Sequence, residues 1–219
     1  MKKYIGLTLL ITFVLLVCGL GILVTQYDSQ PYVVMVRALD EEGQLKWRGS
    51  GSFIRPDLIL TAGHIVKDTK EFEIILPNGK IRPAFFEYRE DANLADVGFI
   101  RIRGDYPTTN FGKSARLGQD VWISGYAFAE MPLTLTKGVV SCLNRDNDFF
   151  GKLNLLQVDS ASWPGHSGSP VLNKHNQIVG MLIGGLVKSD NWSICVPVNV
   201  IRLSLTKYDA TKTLESEGK

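Results

Sequence analysis

The most informative segment of the chain reads Trp163-Pro164-Gly165-His166-Ser167-Gly168-Ser169-Pro170. Gly165 and Gly168 lie close to Ser167 in the sequence, and glycine permits the backbone angles that tight turns require. Such a turn can present a serine hydroxyl together with neighbouring backbone N–H groups. A flexible surface loop has the same composition, so this segment alone leaves both interpretations open.

Two shorter motifs precede this segment, and each lies at the end of a predicted strand. The motif Leu60-Thr61-Ala62-Gly63-His64 places a histidine after a tight turn. The motif Asp96-Val97-Gly98-Phe99-Ile100 places an acid immediately before an apolar strand. Taken singly, a histidine that caps a carbonyl and a turn aspartate explain them equally well. Asp91 is the alternative acid, although its surroundings are polar.

The three motifs lie on a background of short predicted strands separated by turn signals. The predicted strands cover residues 32–38, 45–55, 58–60, 71–76, 80–88, 97–103, 121–126, 133–144, 152–160, 170–172, 178–186 and 192–197. This spacing indicates an all-β sandwich or a pair of barrels. Asn199 is a suitable cap for a C-terminal helix, and the polar last dozen residues are expected to fray.

The order of the motifs matters because a serine nucleophile needs a base, and the base needs an orienting acid. The chain supplies His64, Asp96 and Ser167 in that order. Together they resemble the trypsin-like serine proteases of the chymotrypsin-fold superfamily, nearest to the bacterial HtrA-like and glutamyl-endopeptidase-like branches. The resemblance spans roughly residues 32–203. It implies two six-stranded antiparallel β-barrels with a C-terminal helix.

The resemblance also implies a serine endopeptidase that cleaves a protein or peptide substrate through an acyl-enzyme. Ser167 would attack the scissile carbonyl, His64 would take and return the proton, and Asp96 would hold the imidazole tautomer. The backbone N–H groups of Gly165 and Ser167 would form the oxyanion hole. A catalytically silent binding module of the same fold is the alternative, and a serine esterase is disfavoured because Val171 onward does not indicate a helix.

The substrate pocket follows from the same resemblance. Its implied lining residues are Ser162, Leu182, Ile183, Gly184, Gly185 and Ser193. Ala161 stands where trypsin carries an aspartate, and Leu182 replaces the histidine of glutamyl endopeptidases. Cleavage after small or medium apolar residues is therefore expected. Leu182 has an alternative interpretation as an ordinary barrel core residue.

Two departures from the family concern activation and domain content. His166 stands where many members carry the aspartate that pairs with a new N-terminal amine, so that ion pair is not expected here. His166 is either an exposed loop residue or a group that tunes the loop with pH. No PDZ domain is expected, since the chain ends shortly after the predicted barrels.

The N-terminal segment predicts a membrane anchor. Residues 5–24 hold no charge, and a helix of this length spans about 30 Å, the thickness of a bilayer core. A cleaved signal peptide is the alternative, and it would make the protein secreted. Lys2 and Lys3 predict a cytoplasmic N-terminus, so the protease domain would lie outside the cytoplasm. The predicted organisation is an anchor at residues 1–24, a linker at 25–31, a protease domain at 32–203 and a polar tail at 204–219.

The charge and cysteine counts exclude several classes of protein. The formal net charge of +2 over 219 residues is carried by Lys2 and Lys3, because the rest has 22 basic and 22 acidic side chains. A nucleic-acid partner is therefore not expected. Cys142 and Cys195 lie in apolar strands as buried thiols, with a disulfide as the alternative. The three histidines lack metal-type spacing, so no metal or other cofactor is expected. The oligomeric state is not assigned.

Overall fold

The structure, a computed structural model, describes residues 30–91, 94–147, 151–185 and 191–217. The predicted anchor at residues 1–24 lies outside these ranges. All described strands and helices belong to one compact unit, Pro31–Lys219. No helix in the described part of the chain has both the length and the apolar character needed to cross a membrane.

The first six strands close into one antiparallel barrel with the order β1-β2-β3-β6-β5-β4. They are β1 (Val33–Leu39), β2 (Leu45–Arg55), β3 (Leu58–Ala62), β4 (Glu71–Ile75), β5 (Ile81–Arg89) and β6 (Val97–Ile102). β3 is buried along its whole length, because it lies between β2 and β6 and faces the core. β4 alternates between buried and more exposed positions, as a strand with one face in a barrel does.

The next six strands close into a second barrel with the order β10-β11-β12-β9-β8-β7. They are β7 (Asp120–Gly125), β8 (Thr134–Asn147), β9 (Gly151–Asp159), β10 (Pro170–Leu172), β11 (Ile178–Gly185) and β12 (Trp192–Pro197). The predicted fold of two six-stranded antiparallel barrels is confirmed. The barrels pack directly on each other, since Met181 and Ile183 of β11 belong to the same apolar cluster as the core of the first barrel.

The C-terminal helix α1 spans Val198–Glu217. The last dozen residues were expected to fray, but the chain is helical up to Glu217, so this prediction is wrong for the described residues. The helix also continues past residue 204, where the polar tail was predicted to begin. Polar contacts to the first barrel hold it in place. Arg55 donates two hydrogen bonds to Asp209, at 2.8 and 2.6 Å. These contacts come from distant strands, so the local polar composition gave no sign of them.

Tyr208 is the central anchor of α1. Its side chain is 1% exposed, and its hydroxyl donates to Glu87 on β5 at 2.7 Å and accepts from Arg101 on β6. Burial of Glu87 alone would raise its pKa. The hydrogen bond from Tyr208 and the positive charges of Arg101 and Lys212 outweigh that effect and hold the pKa below its usual value.

The two described cysteines are free thiols. Cys195 on β12 pairs with Leu156 of β9, and Cys142 on β8 pairs with Gln157 on the other side of β9. A whole strand therefore separates the two thiols, which places their Cα atoms about 10 Å apart, beyond the reach of a disulfide. The disulfide alternative is excluded in this structure. Cys195 is completely buried, and desolvation raises its pKa.

Candidate active site

His64 and Asp96 lie side by side because they follow and precede paired strands. Ala62, the last residue of β3, pairs with Val97, the first residue of β6. His64 Nδ1 lies 2.6 Å from Asp96 Oδ2, and the His64 backbone N–H donates to Asp96 Oδ1 at 2.6 Å. The Asp96 side chain is 18% exposed and the His64 side chain is 39% exposed. One carboxylate thus fixes both the ring and the backbone of His64.

Gly63 makes this close approach possible. A Cβ atom at this position would lie 2.9 Å from Asp96 Oδ1 and 3.0 Å from the Val97 nitrogen. Asp91, the alternative acid, lies in the preceding turn, where its carbonyl oxygen accepts the N–H groups of Leu94 and Ala95. Asp96 is therefore the carboxylate that contacts His64.

Residues 165–168, called the serine loop below, form the turn that carries Ser167. Gly165 has φ +93° and Gly168 has φ +90°, in the region that favours glycine. A Cβ atom on Gly165 would lie 2.4 Å from the Ala129 nitrogen, and one on Gly168 would lie 2.0 Å from the Ser50 carbonyl oxygen. Both glycines are required by backbone angle and by space.

The Gly165 N–H group makes no hydrogen bond within the described chain, because a contact on the other side of its peptide unit fixes its direction. The Phe128 N–H donates to the Pro164 carbonyl oxygen at 2.6 Å. In a trans peptide the N–H points opposite to the carbonyl, so the Gly165 N–H points away from Phe128. Within the described chain it has no hydrogen-bond acceptor.

The Ser167 N–H group is free for the same reason. The carbonyl oxygen of His166 accepts the Ser169 N–H at 2.9 Å, which fixes the peptide unit between His166 and Ser167. The Ser167 N–H donates to no acceptor in the part of the chain that the structure describes. The serine loop therefore carries two fixed peptide units with unused N–H donors, and such donors can bind an anionic oxygen.

The Ser167 hydroxyl is not hydrogen-bonded to His64 in this structure. It donates to the Ile183 carbonyl oxygen at 3.3 Å, and the described residues contain no hydrogen bond between Ser167 and His64. Rotation of the hydroxyl about the Cα–Cβ bond is needed before His64 can act on it. Such contacts commonly tighten only when a substrate is bound.

Comparison with known protein families agrees with this geometry. The model of the trypsin-like peptidase domain matches residues 49–181, which is more than half of the chain and includes His64, Asp96 and Ser167. The chain belongs to the trypsin-like peptidase family.

Individual relatives of this trypsin-like peptidase include HtrA-type proteases, which confirms the resemblance to that branch. A probable periplasmic serine endoprotease, DegP-like, from Chlamydia pneumoniae is 32% identical over 139 residues, covering 61% of this chain and 28% of the relative. The serine endoprotease DegS from Haemophilus influenzae is 25% identical over 179 residues, covering 77% of this chain and 52% of the relative. The chain thus spans about a quarter to a half of the length of these relatives.

Solved structures show the same fold at lower sequence identity. The serine endoprotease from Yersinia pestis has a TM-score of 0.71 at 22% identity, covering 83% of this chain and 64% of that one. A protease from M. tuberculosis in its active form has a TM-score of 0.72 at 21% identity, covering 82% of this chain and 81% of that one. Both similarities support the two-barrel fold of the peptidase domain.

Ser50 is a site residue that the sequence analysis missed. It lies on β2 of the first barrel, its N–H donates to the Ser167 carbonyl oxygen at 2.7 Å, and its hydroxyl donates to the Gly165 carbonyl oxygen at 2.8 Å. The same hydroxyl accepts the Tyr126 N–H at 2.9 Å. The run Gly49-Ser50-Gly51 inside a strand is a signal that could have found it, since such glycines mark a close backbone approach.

The predicted pocket residues occupy different environments in the peptidase domain. Gly185 lies against Ser162, since a Cβ atom on Gly185 would come within 3.1 Å of the Ser162 hydroxyl. Ser193 is buried, and its hydroxyl donates to the Ser160 carbonyl oxygen at 2.8 Å. Leu182 is completely buried in the apolar cluster of the second barrel, the core placement left open by the sequence.

The remaining two predicted pocket residues, Ile183 and Gly184, lie on β11 between Leu182 and Gly185. The side chain of Ile183 is 2% exposed, while its carbonyl oxygen accepts the Ser167 hydroxyl. Gly184 follows it and is half-buried. Substrate binding by all six residues stays a prediction.

His166 is fully buried, so its interpretation as an exposed loop residue is wrong. Its side chain has no exposed surface, and neither ring nitrogen has a hydrogen-bond partner among the described residues. The ring meets the Trp163 ring edge-on, with centroids 5.5 Å apart. Desolvation lowers the pKa of His166 to about 4, which makes the neutral form dominant at pH 7.

Metal ions in proteins are held by sets of His, Cys, Asp and Glu side chains. Among the described residues, no three His, Cys, Asp or Glu side chains come together as a ligand set.

Proposed function

We propose that this chain is a serine endopeptidase in which His64, Asp96 and Ser167 act as the catalytic triad. The observation that carries the proposal is the contact between His64 Nδ1 and Asp96 Oδ2 at 2.6 Å. A carboxylate at Nδ1 favours the tautomer with its proton on that nitrogen, which leaves Nε2 free to accept a proton. This is the tautomer that a general base for a serine requires.

The proposed reaction begins when the Ser167 hydroxyl turns from Ile183 towards His64. Ser167 Oγ attacks the scissile carbonyl carbon while His64 Nε2 takes its proton. The negative oxygen of the tetrahedral intermediate accepts the N–H groups of Gly165 and Ser167. One such donor contributes about 2.7–4 kcal/mol of transition-state stabilisation. The imidazolium then protonates the leaving amine, and water hydrolyses the acyl-enzyme by the same steps.

The proposed preference is for a small or medium apolar residue before the cleaved bond. The proximity of Gly185 to Ser162 supports a narrow pocket, and Ala161 brings no charge that would select a basic residue. Cleavage profiling with a peptide library tests this preference. Dominant cleavage after Arg, Lys or Glu would refute it.

We also propose that residues 1–24 hold the peptidase domain at a membrane, with the domain outside the cytoplasm and the N-terminus inside. The support is the uncharged segment that follows Lys2 and Lys3, together with a linker of at most about 25 Å. Intact mass measurement of the protein from membranes distinguishes an anchor from a cleaved signal. Loss of residues 1–24 from the mature chain would contradict the anchor.

A second candidate function is a catalytically silent binding module, and one observation favours it: the Ser167 hydroxyl is hydrogen-bonded to Ile183 rather than to His64. Labelling with a fluorophosphonate probe separates the two candidates. The endopeptidase predicts labelling of the wild type that disappears in Ser167→Ala. Absence of Ser167-dependent labelling in folded protein favours the binding module.

A further inference from the structure

A cleft of about 1160 Å³ lies on the second barrel, and none of the triad residues lines it. Three distant parts of the chain form its walls. They are the segment around residues 111–122, the hairpin between β10 and β11 at residues 173–177, and the start of α1 at residues 198–202. The cleft is therefore a product of the tertiary fold rather than of one loop.

The walls of this cleft are strongly cationic. Its cationic side chains are Lys113, Arg116, Lys174 and Arg202. Asp120, the one acid among the described residues of the wall, already has a partner, because Lys137 lies 2.9 Å from its carboxylate. Outside residues 1–24 the chain has equal numbers of basic and acidic side chains, so this concentration is local.

These four cations are not neutralised by a carboxylate among the described residues. Some basic side chains elsewhere in the described chain do form ion pairs. They include Arg37, Arg55, Arg101, Lys207 and Lys212. None of the four cations in the cleft has a carboxylate within 4.0 Å among the described residues. Their charges are available to a ligand.

Arg202 is held by contacts within the cleft wall. Its Nη2 donates to the carbonyl oxygens of Phe111 and Gly112, at 3.3 and 3.1 Å, and its guanidinium lies 5.3 Å from the centre of the Phe111 ring. These contacts fix the group without neutralising it. Its other N–H groups donate to no acceptor in the described chain, and a fixed guanidinium binds phosphate oxygens well.

The start of α1 adds a further favourable feature for an anion. Val198 and Asn199, the first residues of this 20-residue helix, line the cleft. The first N–H groups of a helix lack intrahelical acceptors, and the helix dipole favours negative charge at that end. Phosphate groups bind at helix N-termini for this reason.

We propose that this cleft binds a phosphate-bearing anion at a site separate from the triad. Its volume and the spread of four unpaired cations suit a ligand with more than one charged oxygen group. Free polyphosphate and the glycerol phosphate headgroup of an anionic lipid carry this same chemistry. Occupancy does not depend on the proposed peptidase activity, because Ser167 has no part in it.

The test measures binding of sodium tripolyphosphate to the full chain in a non-ionic detergent by isothermal titration calorimetry. Soluble short-chain phosphatidylglycerol, used below its micelle concentration, is the second probe. Lys174→Gln should weaken binding by at least about tenfold, because it removes one charge-assisted contact to the phosphate. The matched control is Lys80→Gln, which removes an exposed charge from the first barrel and should change the Kd less than twofold. The tighter of the two probes identifies the source of the phosphate.

Two outcomes would overturn the proposal. One is absence of saturable binding of either probe by folded wild-type protein at millimolar concentration and low salt. The other is an equal loss of binding in Lys174→Gln and Lys80→Gln, which would show only non-specific attraction. If Lys174→Gln does not fold, Arg202→Gln replaces it as the test variant. Arg202→Gln should also bind the probes more weakly than Lys80→Gln does.

Discussion

The hydroxyl of Ser50 on the first barrel donates to the carbonyl oxygen of Gly165 in the serine loop at 2.8 Å. A second bond, from the Ser50 N–H to the Ser167 carbonyl oxygen at 2.7 Å, lies beside it. One residue of β2 therefore fixes two peptide units of a loop that belongs to the other barrel. The conformation of the serine loop depends on how the two barrels are packed.

Ser50→Ala should slow the reaction of Ser167 with a fluorophosphonate probe by about tenfold or more. The substitution frees the Gly165 carbonyl and leaves the buried Tyr126 N–H without its acceptor. An unsatisfied buried group costs about 1–3 kcal/mol. Ser52→Ala is the control, since Ser52 is buried on the same strand and its hydroxyl has no partner in the described chain. Equal rates for the two variants would contradict a positioning role for Ser50.

Gly165→Ala should reduce the labelling rate by at least about a hundredfold, the usual effect of losing one oxyanion donor. The new Cβ atom would lie 2.4 Å from the Ala129 nitrogen and 2.6 Å from the Tyr126 carbonyl oxygen, so the peptide must move. Gly118→Ala separates this effect from backbone strain. Gly118 has φ +75°, yet no atom lies within 4 Å of a Cβ built there. A comparable loss of labelling in Gly118→Ala would show that strain alone is responsible.

Asp96→Asn should lower the rate of probe labelling and peptide cleavage by about 10⁴-fold, because an amide favours the wrong imidazole tautomer. The carboxylate of Asp96 is the group that contacts His64 Nδ1 at 2.6 Å. Asp91→Asn, a change of the same kind in the preceding turn, should leave the rate within about twofold of the wild type. If Asp91→Asn were the inactive variant, the assignment of the orienting acid would be wrong.

The strands and the three motifs that carry His64, Asp96 and Ser167 could be predicted from the sequence, because their signals are local. The β4–β5 hairpin turns at Asn78 and Gly79, where Gly79 has φ +77°, and alternating polar and apolar residues mark β4 before it. Gly63 before His64 is a second local signal, because a small residue next to a strand end indicates that another part of the backbone or a side chain lies close to it. Such patterns depend only on neighbouring residues.

The parts that could not be predicted depend on contacts between distant residues. Ser50 reaches the serine loop only after the two barrels pack, and the burial of His166 requires Trp163 and the barrel wall around it. The length of α1 depends on partners such as Glu87 for Tyr208, far away in the sequence. A polar composition predicts fraying for a C-terminal segment that packs on nothing. The prediction fails when a barrel supplies hydrogen-bond and ion-pair partners for the polar side chains of that segment.

Tyr208→Phe should lower the free energy of unfolding by about 1–3 kcal/mol, because it removes a buried hydroxyl that bonds to both Glu87 and Arg101. Denaturant titration at pH 7 measures this change. Tyr106→Phe is the control, since the Tyr106 hydroxyl makes one exposed bond of 3.3 Å to a carbonyl oxygen. It should cost no more than about 0.5 kcal/mol. Equal costs would show that the contact with Glu87 does not anchor α1.

The buried His166 should make the protein less stable as the pH falls. Its pKa is about 4 in the folded protein because of desolvation, against about 6.5 in the unfolded chain. Between these values the unfolded chain binds the proton and the folded protein does not, so stability decreases as the pH falls from about 6.5 to about 4. The contribution of this one group over that window is about 2–3 kcal/mol.

His166→Leu removes the titrating ring and keeps an apolar side chain in a site that offers the ring nitrogens no partner among the described residues. The measurement is the free energy of unfolding of wild type and variant at several pH values between 4 and 8. The difference between them should be nearly constant above pH 7 and should shift in favour of the variant as the pH falls below about 6.5. Parallel curves across the whole range would mean that His166 takes up its proton equally in both states, and the burial of its ring would then have no effect on acid stability.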